Sequence, residues 1–126
     1  MKNPRITNKE RGLLKGAIRR VFSRSEIRRK VVALTIVQHH DLNRPRVKKW
    51  SVCPLCELFI ATYQLQVDHR DPIVPTDTTL EDMSWDTVID RVWCVENNLM
   101  AICKPCHKEK TKLENKERKK NKGVKL

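Results

Sequence analysis

No stretch of this chain approaches the roughly 18 consecutive apolar residues that a bilayer-spanning helix needs. Its first residues hold no apolar segment of the kind a secretory leader carries, so neither a membrane span nor export is expected. No amphipathic apolar face is left over for lying on lipid. Apart from two cysteine pairs there is no internal repeat. Acidic residues are scarce: 15 Asp and Glu stand against 27 Lys and Arg, leaving a net charge of +12 and a pI near 9.8. Apolar residues make up only 39% of the 126, and the charged share of 33% is above the usual quarter or so. This is one small domain with a marginal core. A bound structural metal, worth on the order of 10 kcal/mol, would match its whole folding free energy.

The positive charge is unevenly placed. Residues 1–69 carry fifteen Lys and Arg against five Asp and Glu, a net of +10. Residues 70–97 carry two against seven, a net of −5, and residues 98–126 carry ten against three, a net of +7. Two basic arms thus flank an acidic insert. A polyanion should meet the arms, and the insert should face away or guard the edge.

The order of elements is mixed α+β. Thr7-Asn8-Lys9-Glu10 is a capping box, followed by Leu13, Leu14, Ala17, Ile18 and Val21 at helical spacing. A second box, Ser23-Arg24-Ser25-Glu26, opens a helix with Ile27, Val31, Leu34 and Val37 as its stripe, ending before Asn43-Arg44-Pro45. Residues 7–40 therefore read as a basic helical hairpin. Strands are expected over 47–52 and, from their β-branched and aromatic content, over 59–67. Residues 79–93 carry a helical stripe of Trp85, Val88, Ile89 and Val92, residues 99–102 a short strand, and about 105–120 a closing helix. This divides the chain into a basic helical region, 1–46, packing on or extending the core, a cysteine-bearing module, 47–120, and a frayed basic tail, 121–126.

Cys53-Pro54-Leu55-Cys56 and Cys103-Lys104-Pro105-Cys106 are two C-x-x-C knuckles. Cysteines at that spacing put both sulfurs on one side of a tight turn, about 2.3 Å from a shared ion. Two such pairs in a chain without a leader point to a structural zinc held by Cys53, Cys56, Cys103 and Cys106, and to a reducing cytoplasm. The competing reading is four packed or oxidised cysteines. Cys94 has no partner at knuckle spacing and reads as a buried or partly buried free thiol.

The zinc would pin His107, which follows Cys106 at once, beside Asp68 and His69. Cys53-x-x-Cys56, Val67-Asp68-His69-Arg70-Asp71-Pro72, Asn98-Leu99 and Ile102-Cys103-x-x-Cys106-His107-x-x-Lys110-Thr111 together resemble the HNH endonuclease family, in its zinc-stapled subgroup with the ββα-metal fold. The resemblance covers about residues 50–113. The stretch from Arg70 to Asn97 is longer than a compact member needs, which leaves Asn97 beside Asn98 as a candidate for the asparagine. The resemblance implies a metal-dependent DNA endonuclease. His69 would be the general base, Asp68 and His107 the ligands of a catalytic divalent ion, and Asn98 the residue that holds the His69 ring by a hydrogen bond. It also implies a 5′-phosphate and a 3′-hydroxyl as products.

The residues reach the same chemistry independently. Phosphodiester hydrolysis needs an activated water, which a neutral imidazole supplies near pH 7. It also needs charge neutralisation on the phosphate, which a carboxylate- and imidazole-held ion supplies. Such a site suits Mg²⁺, Mn²⁺ or Ni²⁺ better than a thiolate site does. Adjacent strand residues face opposite ways, so Asp68 and His69 divide these duties best at a strand end. His107 has a second reading, as a zinc ligand in place of Cys106.

Lys104, Lys108 and Lys112 share one helical face beside His107 and would grip phosphates flanking the scissile one; otherwise they form a solvated face. Arg70 would touch the phosphate or pair with Asp71 or Asp68. The hairpin arginines Arg19, Arg20, Arg24, Arg28 and Arg29 would lie along DNA or simply cover the core, and no motif reads base edges. His39 and His40 are expected to serve the end of the second helix. The partner is therefore DNA and not a membrane, and cutting both strands would favour a dimer. Compact basic HNH proteins of this kind resemble those of phages, mobile introns and restriction systems. The reading from another class is a zinc-stapled DNA-binding protein without chemistry.

Overall fold

The computed structural model describes residues 5–124. Four helices and two small antiparallel sheets alternate along the chain: α1 (Asn8–Phe22), α2 (Glu26–Ala33), β1 (Ile36–Val37), β2 (Trp50–Val52), β3 (Phe59–Ala61), β4 (Gln66–His69), α3 (Trp85–Val92), β5 (Leu99–Ile102) and α4 (Lys104–Val124). Among the described residues no helix is long and apolar enough to cross a membrane.

The Thr7 capping box forms as expected. The Glu10 N–H donates to Thr7 Oγ1 at 3.1 Å, and the Thr7 N–H donates to Glu10 Oε1 at 3.0 Å. The second box does not. Ser25, not Ser23, caps α2, its Oγ accepting from the Arg28 N–H, while the Ser23 hydroxyl turns back to the Arg20 carbonyl and closes α1. Helix α2 also stops at Ala33, short of the expected stripe. Leu34 is exposed, and the β-branched run Thr35-Ile36-Val37 leaves the helix to pair with β2. Branched side chains favour that pleated surface over a helical turn. His39 therefore lies past a strand rather than at a helix end. Its ring stacks on Phe59 with centroids 3.8 Å apart and meets Trp50 edge-on.

The expected strand over 59–67 is broken by a single 3-10 turn, Thr62–Gln64. The turn hands the chain from the β1-β2-β3 sheet to the β4-β5 pair. In that pair Gln66 faces Ile102, Val67 faces Ala101, Asp68 faces Met100 and His69 faces Leu99. All four residues of β5 are buried, and period-two alternation sends them two ways. Leu99 and Ala101 join the main apolar core of Phe22, Val31, Leu65, Ile73, Val74, Met83, Val88 and Val92. Met100 and Ile102 pack with Cys53 and Cys103.

The acidic insert is part of the core. Ile73, Val74, Met83, Val88 and Val92 put its apolar side into the core, and Val88 and Val92 are fully buried. Its charges stay outside, so net charge per segment says nothing about which side of a segment is inside. The helix expected over 79–93 is confined to α3, after a 3-10 turn at Leu80–Asp82.

Helix α4 continues past Lys120 to Val124, so the expected tail is helical as far as it is described; Lys125 and Leu126 lie outside the described residues. Its less exposed positions are Cys106, His107, Lys110, Thr111, Glu114, Arg118 and Asn121. Such a stripe has helical period but is polar. The helix docks through polar contacts: Arg118 Nη2 donates to the Val74 carbonyl at 2.9 Å and Asn121 Nδ2 to the Thr76 carbonyl at 3.0 Å.

Candidate active site and metal centre

The four knuckle sulfurs lie within 4.8 Å of one another. A tetrahedral ion with bonds of about 2.3 Å spaces its sulfurs about 3.8 Å apart, and Cys56 Sγ is 3.7 Å from Cys103 Sγ. The cluster is thus placed to bind a structural metal such as zinc. The first knuckle is shaped by its backbone: the Glu57 N–H donates to the Cys53 carbonyl, the Cys53 N–H donates to the Leu58 carbonyl, and Glu57 takes a left-handed φ of 61°. Burial raises the Cys53 thiol, but the N–H groups of Cys103, Cys56 and Leu55 aimed at its sulfur outweigh that and bring it to about 6. The Cys106 thiol, chiefly through its bond to Cys103, is pushed up to about 12. A bound metal would have to release protons from the remaining thiols. His107 stands outside the four-sulfur group, and Cys94 is a free, half-buried thiol packed on the main core.

Strand β4 ends at Asp68 and His69, and the register turns them to opposite faces. His69, level with Leu99, faces the main core and packs its ring against Phe22 at 5.6 Å between centroids. Trp93 meets the same Phe22 edge-on. The His69 ring is buried, and its Nε2 is 2.9 Å from the Val92 carbonyl. A carbonyl can only accept, so Nε2 carries the hydrogen and Nδ1 is left as the basic nitrogen. Burial lowers the proton affinity of this histidine, the Val92 carbonyl opposes that, Arg19 and Lys110 add to it, and Asp68 opposes it. The net direction is down, which keeps the imidazole neutral at pH 7.

Asp68 turns toward α4. Its Oδ1 accepts from the His69 N–H at 2.9 Å. Lys110 Nζ pairs with the buried Oδ2 at 2.9 Å, so a metal ion bound at this oxygen would have to share it with, or displace, the ammonium. The same ammonium donates to the His69 carbonyl and to Glu114 Oε2, both at 2.8 Å. His107, one turn before Lys110, shares a cavity of about 220 Å³ with Asp68, His69, Thr111, Glu114 and Arg19. The three expected residues thus line one cavity. Among the described residues, however, only the cysteines form a group of three or more metal-capable side chains with all donor atoms within 4.8 Å.

Asn98 has a different task from the one expected. It does not hold the His69 ring; Val92 does. Asn98 Oδ1 accepts from the Asp71 N–H at 2.9 Å, its Nδ2 reaches the Asp71 carbonyl, and its own carbonyl accepts from the Arg70 N–H at 2.7 Å. Residues just past the last ladder pair need partners for their backbone groups, and Asn98, next to Leu99, is the residue opposite them. It fixes the bend that follows His69. Arg91 finishes the loop, donating to the Pro72 and Ile73 carbonyls and pairing with Asp71 at 3.0 Å. The two carboxylates foreseen for Arg70 are therefore paired with Arg91 and Lys110, and Arg70 stays exposed. Lys104, Lys108 and Lys112 are exposed along a groove on α4 that also takes in His107 and Gln66.

One part of this arrangement escapes a reading of the sequence. Val92 contributes a main-chain carbonyl, for which no side-chain signal exists. Lys110 did carry a signal, since it sits three residues after His107 and so shares its helical face. Comparison with protein-family models, with curated proteins and with solved structures gives no match for this chain.

Proposed function

We propose that this protein is a metal-dependent DNA endonuclease of the HNH type, hydrolysing phosphodiester bonds at the cavity of Asp68, His69 and His107. The observation that carries the proposal is the His69 imidazole: buried, neutral, with Nε2–H committed to the Val92 carbonyl and Nδ1 free to take a proton. A histidine kept for packing alone would not need a carboxylate and a second imidazole lining the same cavity. The order of β4, β5 and α4, with the knuckle sulfurs joining the α4 start to the chain before β3, supports the ββα-metal reading of this half.

In this scheme His69 Nδ1 accepts a proton from water, the hydroxide attacks phosphorus as the bond to the 3′ oxygen breaks, and the departing 3′ oxygen takes a proton from solvent water. That leaves a 5′-phosphate and a 3′-hydroxyl, the polarity the family resemblance implies. The imidazolium is stabilised by the Val92 carbonyl and the Asp68 charge. Asp68 and His107 would hold a Mg²⁺, Mn²⁺ or Ni²⁺ ion, which would neutralise the phosphate and the departing oxygen. Asn98 keeps the bend after His69 rigid, so that the base does not drift from its line of approach.

The test is plasmid cleavage by purified protein across several divalent ions, with His69→Ala beside it. The expected result is ion-dependent nicking by the wild type and none by the variant, which still binds DNA. Equal nicking by both removes the proposal. Binding without cleavage under any ion favours the second reading, a zinc-stapled DNA-binding protein.

A further inference from the structure

The turn between α1 and α2 puts Phe22 into the main core against the His69 ring. The Arg24 N–H donates to the Val21 carbonyl and the Ser25 N–H to the Phe22 carbonyl, which holds the turn closed. With Phe22 as anchor, the residues around it cannot wander from His69. Arg19, Arg20 and Arg28 line one wall of a cavity of about 320 Å³, and Gln66, His69 and His107 line another. No carboxylate lines this cavity. Arg19 also borders the smaller cavity that holds Asp68.

Other basic side chains nearby have acidic partners: Lys30 pairs with Glu96, Arg91 with Asp71 and Lys110 with Asp68 and Glu114. Among the described residues Arg19, Arg20 and Arg28 pair with none. Compensation of helix dipoles does not account for all three. Arg19 and Arg20 sit in the last turn of α1, where a cation is favoured, but Arg28 sits in the first turn of α2, where it is disfavoured. Three cations without counter-charge, facing two imidazoles, make a site for an anion, and the planar forks of arginine suit the two free oxygens of a phosphodiester.

We infer that Arg19, Arg20 and Arg28 form a subsite that grips a backbone phosphate of the nucleic acid, so that the N-terminal hairpin is part of the substrate site and not only a cover for the core. This rests on the nucleic-acid partner proposed above and not on the chemistry. The test is duplex-DNA binding by fluorescence anisotropy across a salt series, without divalent ions, in the His69→Ala background. Arg19→Ala and Arg28→Ala should each lower the slope of log affinity against log salt by about 0.9, and the affinity at 0.15 M salt by about fivefold. Lys9→Ala, exposed in the first turn of α1 and lining neither cavity, should keep both. Arg19→Lys should restore the slope, which counts charge, but only part of the affinity, which also needs the fork. Unchanged slope and affinity in Arg19→Ala and Arg28→Ala overturn the inference, even if the wild-type enzyme cuts DNA. Wild-type protein that binds with these slopes but never cuts leaves the subsite standing and removes the nuclease. Absence of any DNA binding removes both.

Discussion

The two faces of β5 are held by different physics. On the side of Leu99 and Ala101, these two and eight buried apolar residues from α1, α2, α3 and the loops close a core around the His69 ring. On the side of Met100 and Ile102 the packing is four sulfurs and little else, and the helix beyond docks by lysine, arginine and asparagine. Burial of apolar area holds the first side in any solvent that favours folding. The second side would depend on a metal held by the four cysteines and on a few charged contacts. The proposed base belongs to the first side, and its proposed metal ligands, Asp68 and His107, to the second. The His69 ring is thus fixed by the core, while the ligand pair would form only when the cysteine cluster and α4 are in place.

Removing the metal should break this comparison most completely. Structural zinc is worth on the order of 10 kcal/mol, so a strong chelator, or Cys103→Ser, should release α4 and unfold the cysteine side. Hydrogen exchange followed by mass spectrometry is the measurement that resolves it. Amides of α4 and of the first knuckle should lose protection first, and those of α1 and α3 later or at higher denaturant. Equal protection of α4 before and after chelation would mean that its polar contacts hold it unaided.

The two sides also differ in how well the sequence foretells them. The cysteine side was legible because its determinants are side chains at fixed spacing: Cys53 with Cys56, Cys103 with Cys106, and His107 directly after. Asp68 and His69 were legible for the same reason, as was the Thr7 cap. The core side was harder to read. In the acidic insert the helical stripe marked Val88 and Val92, but nothing marked Ile73, Val74 and Met83 as core, and the Thr35-Ile36-Val37 run left the helix to pair with β2. The turn at Thr62–Gln64 interrupts a run rich in β-branched and aromatic residues, with no Gly or Pro to announce it. The role of Asn98 was misassigned because its neighbour in space is the backbone of Asp71, which no pattern of side chains announces.

Lys110 sharpens the comparison at the seam between the sides. Its ammonium holds Asp68, Glu114 and the His69 carbonyl at 2.8 to 2.9 Å. The side chains of Lys110 and Asp68 are only 19% and 13% exposed. Contacts to charged groups at such burial are worth roughly 1.5–3 kcal/mol, whereas an exposed pair gives about 0–1. Lys110→Met should therefore lower the urea-unfolding free energy by about 2 kcal/mol while the metal content stays at the wild-type level. A loss no larger than that of an exposed pair would show that α4 rests on the cysteine cluster alone.

Acid sets the two sides against each other more gently. Below neutral pH the cysteine side weakens as protons compete for its thiolates. The core side weakens because His69 is buried in its neutral form. Its proton affinity is lowered in the folded chain, so near and below the ordinary histidine value of about 6.5 the unfolded chain binds a proton that the folded chain refuses. Unfolding then takes up protons, and stability falls as pH falls through that value and is flat above it. One proton sets a ceiling of about 1.4 kcal/mol per pH unit on the slope. His69→Gln keeps the cysteine cluster and removes only this proton. The difference in unfolding free energy between wild type and His69→Gln should therefore be constant above about pH 7 and shift against the wild type below about 6.5. A difference that stays level from pH 8 to 5 would mean that the imidazole is solvated enough to be charged in the folded chain, and a site built on its neutrality at Nδ1 would lose its base.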